Sequence, residues 1–235
     1  MPLDDTARLE RLGERAAELV QDGMLVGLGT GSTASAMIEA LGRRLRDGLE
    51  VTGVATSTAT FDQASQLGIP MVDLNDIDRL DLCIDGADEI DPGLGVVKGR
   101  GGALLFEKLV ARRADRYVII ATSEKLVDHL GTRMPLPVEV VSEGWRHTAE
   151  EIASLRLTPQ LRSREDGAPF LTDGGHYILD CSWPGEIAID PGSLAIALKS
   201  VTGVVDHGLF INMVDMAMTI DPEGEITIHS ATENR

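Results

Sequence analysis

One short segment, KGRGGALLFEK at residues 98–108, combines a cation, a run of glycines and a carboxylate. On the helix predicted after the glycines, Glu107 shares a face with small apolar residues and has no cation three or four positions away. We therefore expect it to be partly desolvated and a good proton acceptor. The alternative is a surface Glu at the edge of the apolar stripe, beside Lys108.

The rest of this segment suits the same chemistry. Its three glycines are Gly99, Gly101 and Gly102. They let a ligand approach the backbone closely, and they precede a helix N-terminus that favours an anion or a developing oxyanion. Proton abstraction next to a carbonyl needs a base and a charge stabiliser, and Glu107 and Lys98 are one of each.

A second segment, DGADEID at residues 85–91, places carboxylates directly after the apolar run DLCI. If that run is a parallel strand, they lie at its carboxyl end, where open α/β sheets bind ligands. A calcium loop would need Gly at the position of Ile90 and Glu at that of Val96, so the spacing excludes it. The other interpretation is a solvated turn capped by Asp. The candidate ligand contacts are Asp85, Gly86, Ala87 and Asp88.

Two further segments are suited to an anion. GLGTGSTA at residues 27–34 is a Gly-rich turn before a helix, without the Gly-Lys of a Walker A loop or the third glycine of a dinucleotide fingerprint. An ordinary capped turn is the alternative. TSEK at residues 122–125 adds hydroxyls and a cation after the apolar run YVIIA, although a solvated Lys is the commoner explanation. The candidate anion contacts are Thr30, Gly31, Ser32, Thr33 and Lys125.

These segments need a scaffold, and the hydrophobic pattern predicts an α/β fold. Short apolar runs alternate with helical patterns over the first ~130 residues, which indicates one doubly wound unit with a parallel sheet. All four segments then lie at the same edge of that sheet, and one shared site explains this better than four coincidences. The main strands are predicted at 24–28, 51–55, 81–84 and 117–121, with helices at 34–46, 59–67 and 102–114.

After Pro137 the pattern changes to strands and helices typical of a small α+β domain. We predict that residues 131–206 form this domain and that residues 1–130 and 207–235 form the catalytic one. The apolar run 208–216 is expected to return to the main sheet, with a peripheral hairpin or tail after residue 221.

Composition restricts the function classes. The net charge of −17 argues against nonspecific binding to nucleic acid or to an anionic membrane, and it requires a locally positive site for any anionic ligand. The two cysteines lie far apart and no apolar run reaches membrane-spanning length, so we expect free thiols and a cytoplasmic protein. The five histidines form no metal-binding pair and there is no GxSxG motif, so metal and covalent chemistry lack support.

Taken together, GLGTGSTA, DGADEID, KGRGGALLFEK and TSEK resemble the ribose-5-phosphate isomerase A family in their order and approximate spacing. The stretches LTDGGHYILD and TGVVDHGLF are also similar to that family, so the resemblance covers nearly the whole chain. It implies conversion of D-ribose 5-phosphate to D-ribulose 5-phosphate without metal or organic cofactor. It also implies a Rossmann-like main domain, a ferredoxin-like small domain, and a homodimer or homotetramer.

The resemblance further implies roles for individual residues. Glu107 matches the general base that moves a proton between C2 and C1 through an enediolate. Asp85 matches the acid/base for ring opening and hydroxyl proton transfer. Asp88 matches a ligand of a substrate hydroxyl, and Lys98 matches the cation beside the developing oxyanion. The remaining matches belong to the substrate and phosphate pocket: Thr30, Gly31, Ser32, Thr33 and Lys125.

One position departs from the family pattern. Family members often carry a Lys in the N-terminal helix that contributes to the phosphate site, and this chain has Leu9 near that position. Arg8 and Arg11 are the candidate replacements.

Two other function classes compete with the isomerase. Related phosphosugar enzymes, such as a lactonase or a deaminating isomerase, would need a catalytic block with a His, and none stands near DGADE. A non-catalytic sugar-phosphate sensor would use the same pocket to control a basic DNA-binding region, and the acidic sequence has no such segment.

Overall fold

The computed structural model describes residues 3–183 and 190–230. These residues form two compact units: the first comprises the described residues within Met1–Ala87, Phe106–Leu126 and Asn212–Arg235, and the second those within Asp88–Leu105 and Val127–Ile211. Residues 88–105 thus lie in the second unit, whereas the domain boundaries predicted from the sequence, which stay a prediction, place them in the main domain. Residues 1–2, 184–189 and 231–235 of the predicted domains lie outside the described residues.

Helices and strands alternate as far as Asp85, as the sequence predicts. In chain order they are α1 (Asp5–Ala17), β1 (Met24–Leu28), α2 (Ser32–Arg46), β2 (Val51–Ala55), α3 (Thr58–Gln66), β3 (Leu82–Asp85), β4 (Glu89–Ile90), β5 (Val96–Val97), α4 (Leu104–Ala111), β6 (Tyr117–Thr122), β7 (Leu136–Val140), α5 (Trp145–Ser154), β8 (Thr158–Leu161), β9 (Tyr177–Ser182), α6 (Pro191–Lys199), β10 (Val204–His207), β11 (Leu209–Phe210), β12 (Met216–Ile220) and β13 (Ile226–Ser230). Short 3-10 turns lie at Leu74–Asp76 and Ser123–Lys125.

The first unit is built on a six-stranded sheet with the order β13-β12-β6-β3-β1-β2. Its strands pair in parallel except for β13, which forms an antiparallel edge with β12. The chain order reverses direction between β1 and β3, and ligands bind at such a switch point, outside the carboxyl ends of the strands. The predicted α/β class with a Rossmann-like parallel sheet is confirmed.

Both faces of this sheet are covered, which explains why its strands are apolar throughout. One face packs on α1 and α2 through a core that includes Leu28, Ile84 and Ile120. On the other face, a Cβ at Gly27 would lie 2.7 Å from Val110 Cγ1 and 2.9 Å from Cys83 Sγ. Helix α4 therefore packs directly on β1 and β3, and Glu107, one turn before Val110, lies on the side of α4 that packs.

The second unit contains a four-stranded antiparallel sheet with the order β10-β7-β9-β8. In chain order the elements run β7-α5-β8-β9-α6-β10, which is the ferredoxin-like arrangement. Apolar side chains of β7 and β9, such as Val138 and Leu179, share one core with Ile152 of α5 and Leu194 of α6. A separate three-stranded sheet has the order β11-β5-β4.

The run 208–216, predicted to return to the main sheet, reaches that sheet only at its end, Met216. Strand β11 pairs with β5 in the second unit, and the next strand, β12, is the one that pairs with β6. Asn212 lies between them in a left-handed conformation with a φ of 56°. A run of apolar residues shows that a segment is buried, but it does not identify the strand on which the segment packs.

Among the described residues, no helix is long and apolar enough to cross a membrane.

Candidate active site

Asp85 ends β3 at the switch point of the main sheet and is fully buried. Its Oδ1 accepts hydrogen bonds from the N–H groups of Thr30 at 3.0 Å and Gly86 at 2.7 Å. The backbones approach closely here, because a Cβ at Gly29 would lie 2.5 Å from Asp85 Cα. One carboxylate thus joins the turn after β1 to the end of β3. The sequence analysis named both segments, and the structure brings them into contact.

The hydroxyl of Thr30 lies in a cluster of hydroxyl groups that the sequence analysis missed. Thr30 Oγ1 is 2.8 Å from the hydroxyl oxygens of Thr56 and Ser57, and 3.1 Å from that of Thr60. Thr56 and Thr60 donate in turn to main-chain carbonyls at the end of β1. The sequence feature that could have revealed this cluster is the segment TSTAT, which lies at the carboxyl end of β2 just as TSEK lies at that of β6. Thr30 therefore shapes the turn through its side chain.

Helix α2 begins immediately after this turn, and no side chain of the described residues caps its N-terminus. Its N-cap residue, Gly31, has a φ of 108°. Ser32 is exposed and Thr33 is half-buried. The first N–H groups of a helix have no intrahelical partner and carry partial positive charge. A phosphate at Gly31, Ser32 and Thr33 would supply the missing acceptor.

Glu107 is only 4% exposed, so the alternative of a surface Glu beside Lys108 is wrong. Tyr117 is a second buried polar residue of the first unit. Burial raises the pKa of Tyr117 well above its usual range, and the charges of Asp85, Cys83 and Glu107 raise it further. The carboxylates of Asp85 and Glu107 therefore act on one buried hydroxyl. Two carboxylates in a water-poor site are typical of acid/base chemistry.

The Gly-rich loop of residues 98–102 belongs to the second unit. Lys98 is 2% exposed, and its Nζ lies 5.8 Å from the centre of the Phe210 ring. Gly99 and Gly102 have φ values of 107° and 84°, a region where other residues are strained, so the glycines here meet a backbone requirement. Asp88 Oδ2 accepts a hydrogen bond of 3.0 Å from the Arg100 N–H, which joins the acidic segment to this loop.

The predicted site residues are thus distributed over both units. The first unit holds Thr30, Gly31, Ser32, Thr33, Asp85, Gly86, Ala87, Glu107 and Lys125, and the second holds Asp88, Lys98, Gly99, Gly101 and Gly102.

Comparison with known proteins identifies the family. Residues 52–224 match the family model described as ribose 5-phosphate isomerase A (phosphoriboisomerase A). A curated ribose-5-phosphate isomerase A from Thermomicrobium roseum is 53% identical over 210 residues, which cover 89% of this chain and 88% of the relative. The chain belongs to the ribose-5-phosphate isomerase A family.

Solved structures of the family have the same fold. A D-ribose-5-phosphate isomerase in complex with phospho-erythronic acid is 33% identical, with a TM-score of 0.92 over 97% of this chain and 100% of that one. The ribose 5-phosphate isomerase from Plasmodium falciparum is 35% identical, with a TM-score of 0.92 over 96% of this chain and 98% of that one.

Arg8, a candidate replacement for the Lys that the resemblance leads us to expect near Leu9, is placed by the structure on the turn after β6. The Arg8 side chain is 6% exposed and donates to both carboxylate oxygens of Glu124, at 2.8 and 2.9 Å. It also donates to a main-chain carbonyl of β12 at 3.3 Å. Partial burial opposes ionisation of Glu124, but hydrogen bonds from Thr122, from its own N–H and from Arg8 lower its pKa overall. Arg8 therefore holds the turn that carries Lys125.

The family assignment favours the isomerase over the lactonase and the deaminating isomerase. Within residues 3–183 and 190–230, no group of three or more His, Cys, Asp or Glu side chains is placed to hold a metal ion.

Proposed function

We propose that this chain interconverts D-ribose 5-phosphate and D-ribulose 5-phosphate through an enediolate, with Glu107 as the general base. Membership of the family makes it an aldose–ketose isomerase. The observation that carries the residue assignment is the burial of Glu107 on the face of α4 that packs against the sheet. A buried carboxylate accepts a proton more readily than a solvated one, which a base working near neutral pH requires.

The proposed reaction moves protons and keeps all electrons in the substrate. Glu107 removes the proton from C2, and the C1 carbonyl oxygen takes up the negative charge. Protonation at C1, with loss of the proton from the C2 hydroxyl, then leaves the ketone at C2. Asp85 opens the sugar ring and carries the proton from the C2 hydroxyl to the C1 oxygen, which becomes the C1 hydroxyl of the ketose. Lys98 stabilises the oxyanion, an interaction that strengthens as charge develops in a site that excludes water.

The remaining candidate residues bind the substrate. We assign the phosphate to the N-terminus of α2, through Gly31, Ser32 and Thr33, and to Lys125. A cation and free helix N–H groups give this position the local positive potential that a chain of net charge −17 needs for an anion. The sugar hydroxyls are assigned to the other candidates: Thr30, Gly86, Ala87, Asp88, Gly99, Gly101 and Gly102.

The assembly and location of the enzyme are also proposals. Following the resemblance, we propose a cytoplasmic homodimer or homotetramer, and light scattering of the purified protein distinguishes the two.

The decisive experiment follows isomerisation in deuterated water. The purified, EDTA-treated protein is incubated with ribose 5-phosphate, and ketose formation and deuterium incorporation are measured by NMR. Ketose with partial solvent deuterium is expected, because a proton held on Glu107 exchanges with water before it is returned. Absence of turnover in folded protein would refute the proposal and favour the phosphosugar sensor.

The role of Glu107 is tested by Glu107→Gln. The amide cannot accept a proton, so kcat should fall at least ~100-fold while KM changes little. Glu10→Gln, which makes the same change at an exposed position of α1, is the control and should keep full activity. Near-normal turnover of Glu107→Gln would show that another group is the base.

A further inference from the structure

We propose that Arg162 is a positioning residue that fixes the Gly-rich loop of residues 98–102 in its active conformation. The inference rests on the proposed function, because the loop carries Lys98 and three of the assigned substrate contacts. Arg162 directly follows β8 in the second unit, and the sequence motifs did not include it.

The guanidinium of Arg162 is held rigidly by Asp180 on β9. Its Nε donates to Asp180 Oδ2 at 2.9 Å and its Nη2 to Oδ1 at 2.5 Å. This two-bond fork fixes both the position and the plane of the group. The side chains of Arg162 and Asp180 are only 14% and 27% exposed, so solvent screens the pair less than an ordinary surface ion pair.

The third nitrogen of the group reaches the loop. Arg162 Nη1 donates to the main-chain carbonyls of Gly99 at 2.9 Å and Arg100 at 3.0 Å. Gly99 is one of the two loop residues with a positive φ, and its carbonyl also accepts the Gly102 N–H at 3.0 Å. One cation thus fixes two successive peptide groups at the centre of the loop.

The Arg162 side chain also supports the loop indirectly, through the ring of Phe170. The guanidinium lies 5.7 Å from the centre of the Phe170 ring, within the range of a cation–π contact. A Cβ at Gly102 would lie 2.5 Å from two atoms of that ring, so the ring occupies the space beside Gly102. Loss of Arg162 therefore removes one hydrogen bond from each of two carbonyls, leaving the Gly99 carbonyl with only the Gly102 N–H, and it removes the support of the ring that packs on the loop.

Besides stabilising the second unit, these contacts hold Lys98 in position. The carbonyls that Arg162 binds lie one and two residues after Lys98, whose own N–H donates to the Gly208 carbonyl at 2.9 Å. The loop is therefore fixed on both sides of the residue assigned to the oxyanion. A displacement of about 1 Å in such a group lowers turnover by roughly 100-fold.

The test compares Arg162→Met with Arg164→Met. Arg164 pairs with Asp166 at 3.0 Å, but both side chains are more than half exposed, so it controls for loss of a nearby arginine and its ion pair. We expect Arg162→Met to lower kcat about 10- to 100-fold with KM changed less than about threefold. Arg162→Lys keeps the positive charge on a single nitrogen but loses the planar fork, so it should recover part of kcat, and Arg164→Met should match the wild type.

Hydrogen exchange provides a readout that does not need isomerase activity. In Arg162→Met the amides of residues 99–102 should exchange at least about tenfold faster, while Arg164→Met leaves them unchanged. Asp180→Asn, which removes the charge but keeps the shape, should give the same pattern more weakly if Arg162→Met does not fold.

The outcomes separate this inference from the proposed function. An inactive wild-type protein overturns the proposed function and, with it, the kinetic role of Arg162. An active wild type in which Arg162→Met exchanges and turns over like Arg164→Met overturns the role of Arg162 alone. Faster loop exchange together with a selective loss of kcat supports the proposal.

Discussion

Replacing Gly29 by Ala should damage the switch point of the main sheet through one methyl group. A Cβ at this position would lie 2.5 Å from both Cα and Cγ of Asp85. Ordinary contacts of a Cβ begin at 3.4 Å, so the turn after β1 and the end of β3 must separate by nearly 1 Å. The obstacle includes backbone, which cannot move aside as the end of a flexible side chain can.

Separating these two segments should lower both the unfolding free energy and kcat of Gly29→Ala. Overpacking of this kind costs about 1–3 kcal/mol of unfolding free energy. It also stretches the 3.0 Å hydrogen bond from the Thr30 N–H to Asp85. Because Asp85 is assigned to proton transfer, a shift approaching 1 Å should lower kcat by roughly 100-fold.

The assays are urea unfolding and isomerisation of ribose 5-phosphate, with Gly86→Ala as the control for stability. A Cβ at Gly86 would meet its nearest atoms at 3.8 and 3.9 Å, so the same substitution at the residue next to Asp85 fits without strain. It should change the unfolding free energy by no more than about 0.5 kcal/mol, or stabilise slightly. The reasoning is refuted if Gly29→Ala is as stable as Gly86→Ala and turns over like the wild type.

Three further predictions concern other parts of the site. Thr30→Val removes the central hydroxyl of the cluster after β1 and should cost about 1–2 kcal/mol in urea unfolding, whereas Thr30→Ser should keep most of that stability; equal losses would contradict the hydrogen-bond account. Gly101→Ala places a methyl group where no atom lies within 4 Å, so stability should be unchanged, while kcat/KM should fall at least about tenfold if substrate approaches this backbone. The lowered pKa of Glu124 stabilises the fold above its unfolded value of about 4.3, and this stabilisation is lost as the pH falls through the folded pKa. Urea midpoints of Arg8→Met and the wild type should therefore differ near neutral pH and converge in acid, and a gap that is independent of pH would count against this assignment.

The sequence predicts the local features of the site well. Helical periodicity favoured a partly desolvated Glu107, whose predicted neighbours on the helix face include Val110 and Ala111, and the structure decides against the alternative of a surface Glu. Glycines at 99 and 102 were correctly marked as a special backbone, since both have a positive φ. These features depend on residues within about one turn of each other, so they can be read from spacing.

The features that sequence reasoning missed depend on contacts between distant segments. Thr56 and Thr60 meet Thr30 only because β1 and β2 are parallel neighbours. Arg162 meets the loop at residue 99 across 63 positions of the chain. An isolated Thr or Arg in a sequence is most often a surface residue, and only the pairing of strands reveals its partner.

The strand order of the main sheet also affects biosynthesis. Strand β6 lies between β3 and β12, and β12 begins only at Met216, after the whole Val127–Ile211 stretch of the second unit. During translation the edge of β6 that later pairs with β12 therefore has unsatisfied N–H and C=O groups until the last part of the chain leaves the ribosome. Nascent chains that stop short of Met216 carry an open sheet edge and should depend on chaperones, whereas the Val127–Ile211 stretch is synthesised early enough to begin folding before termination.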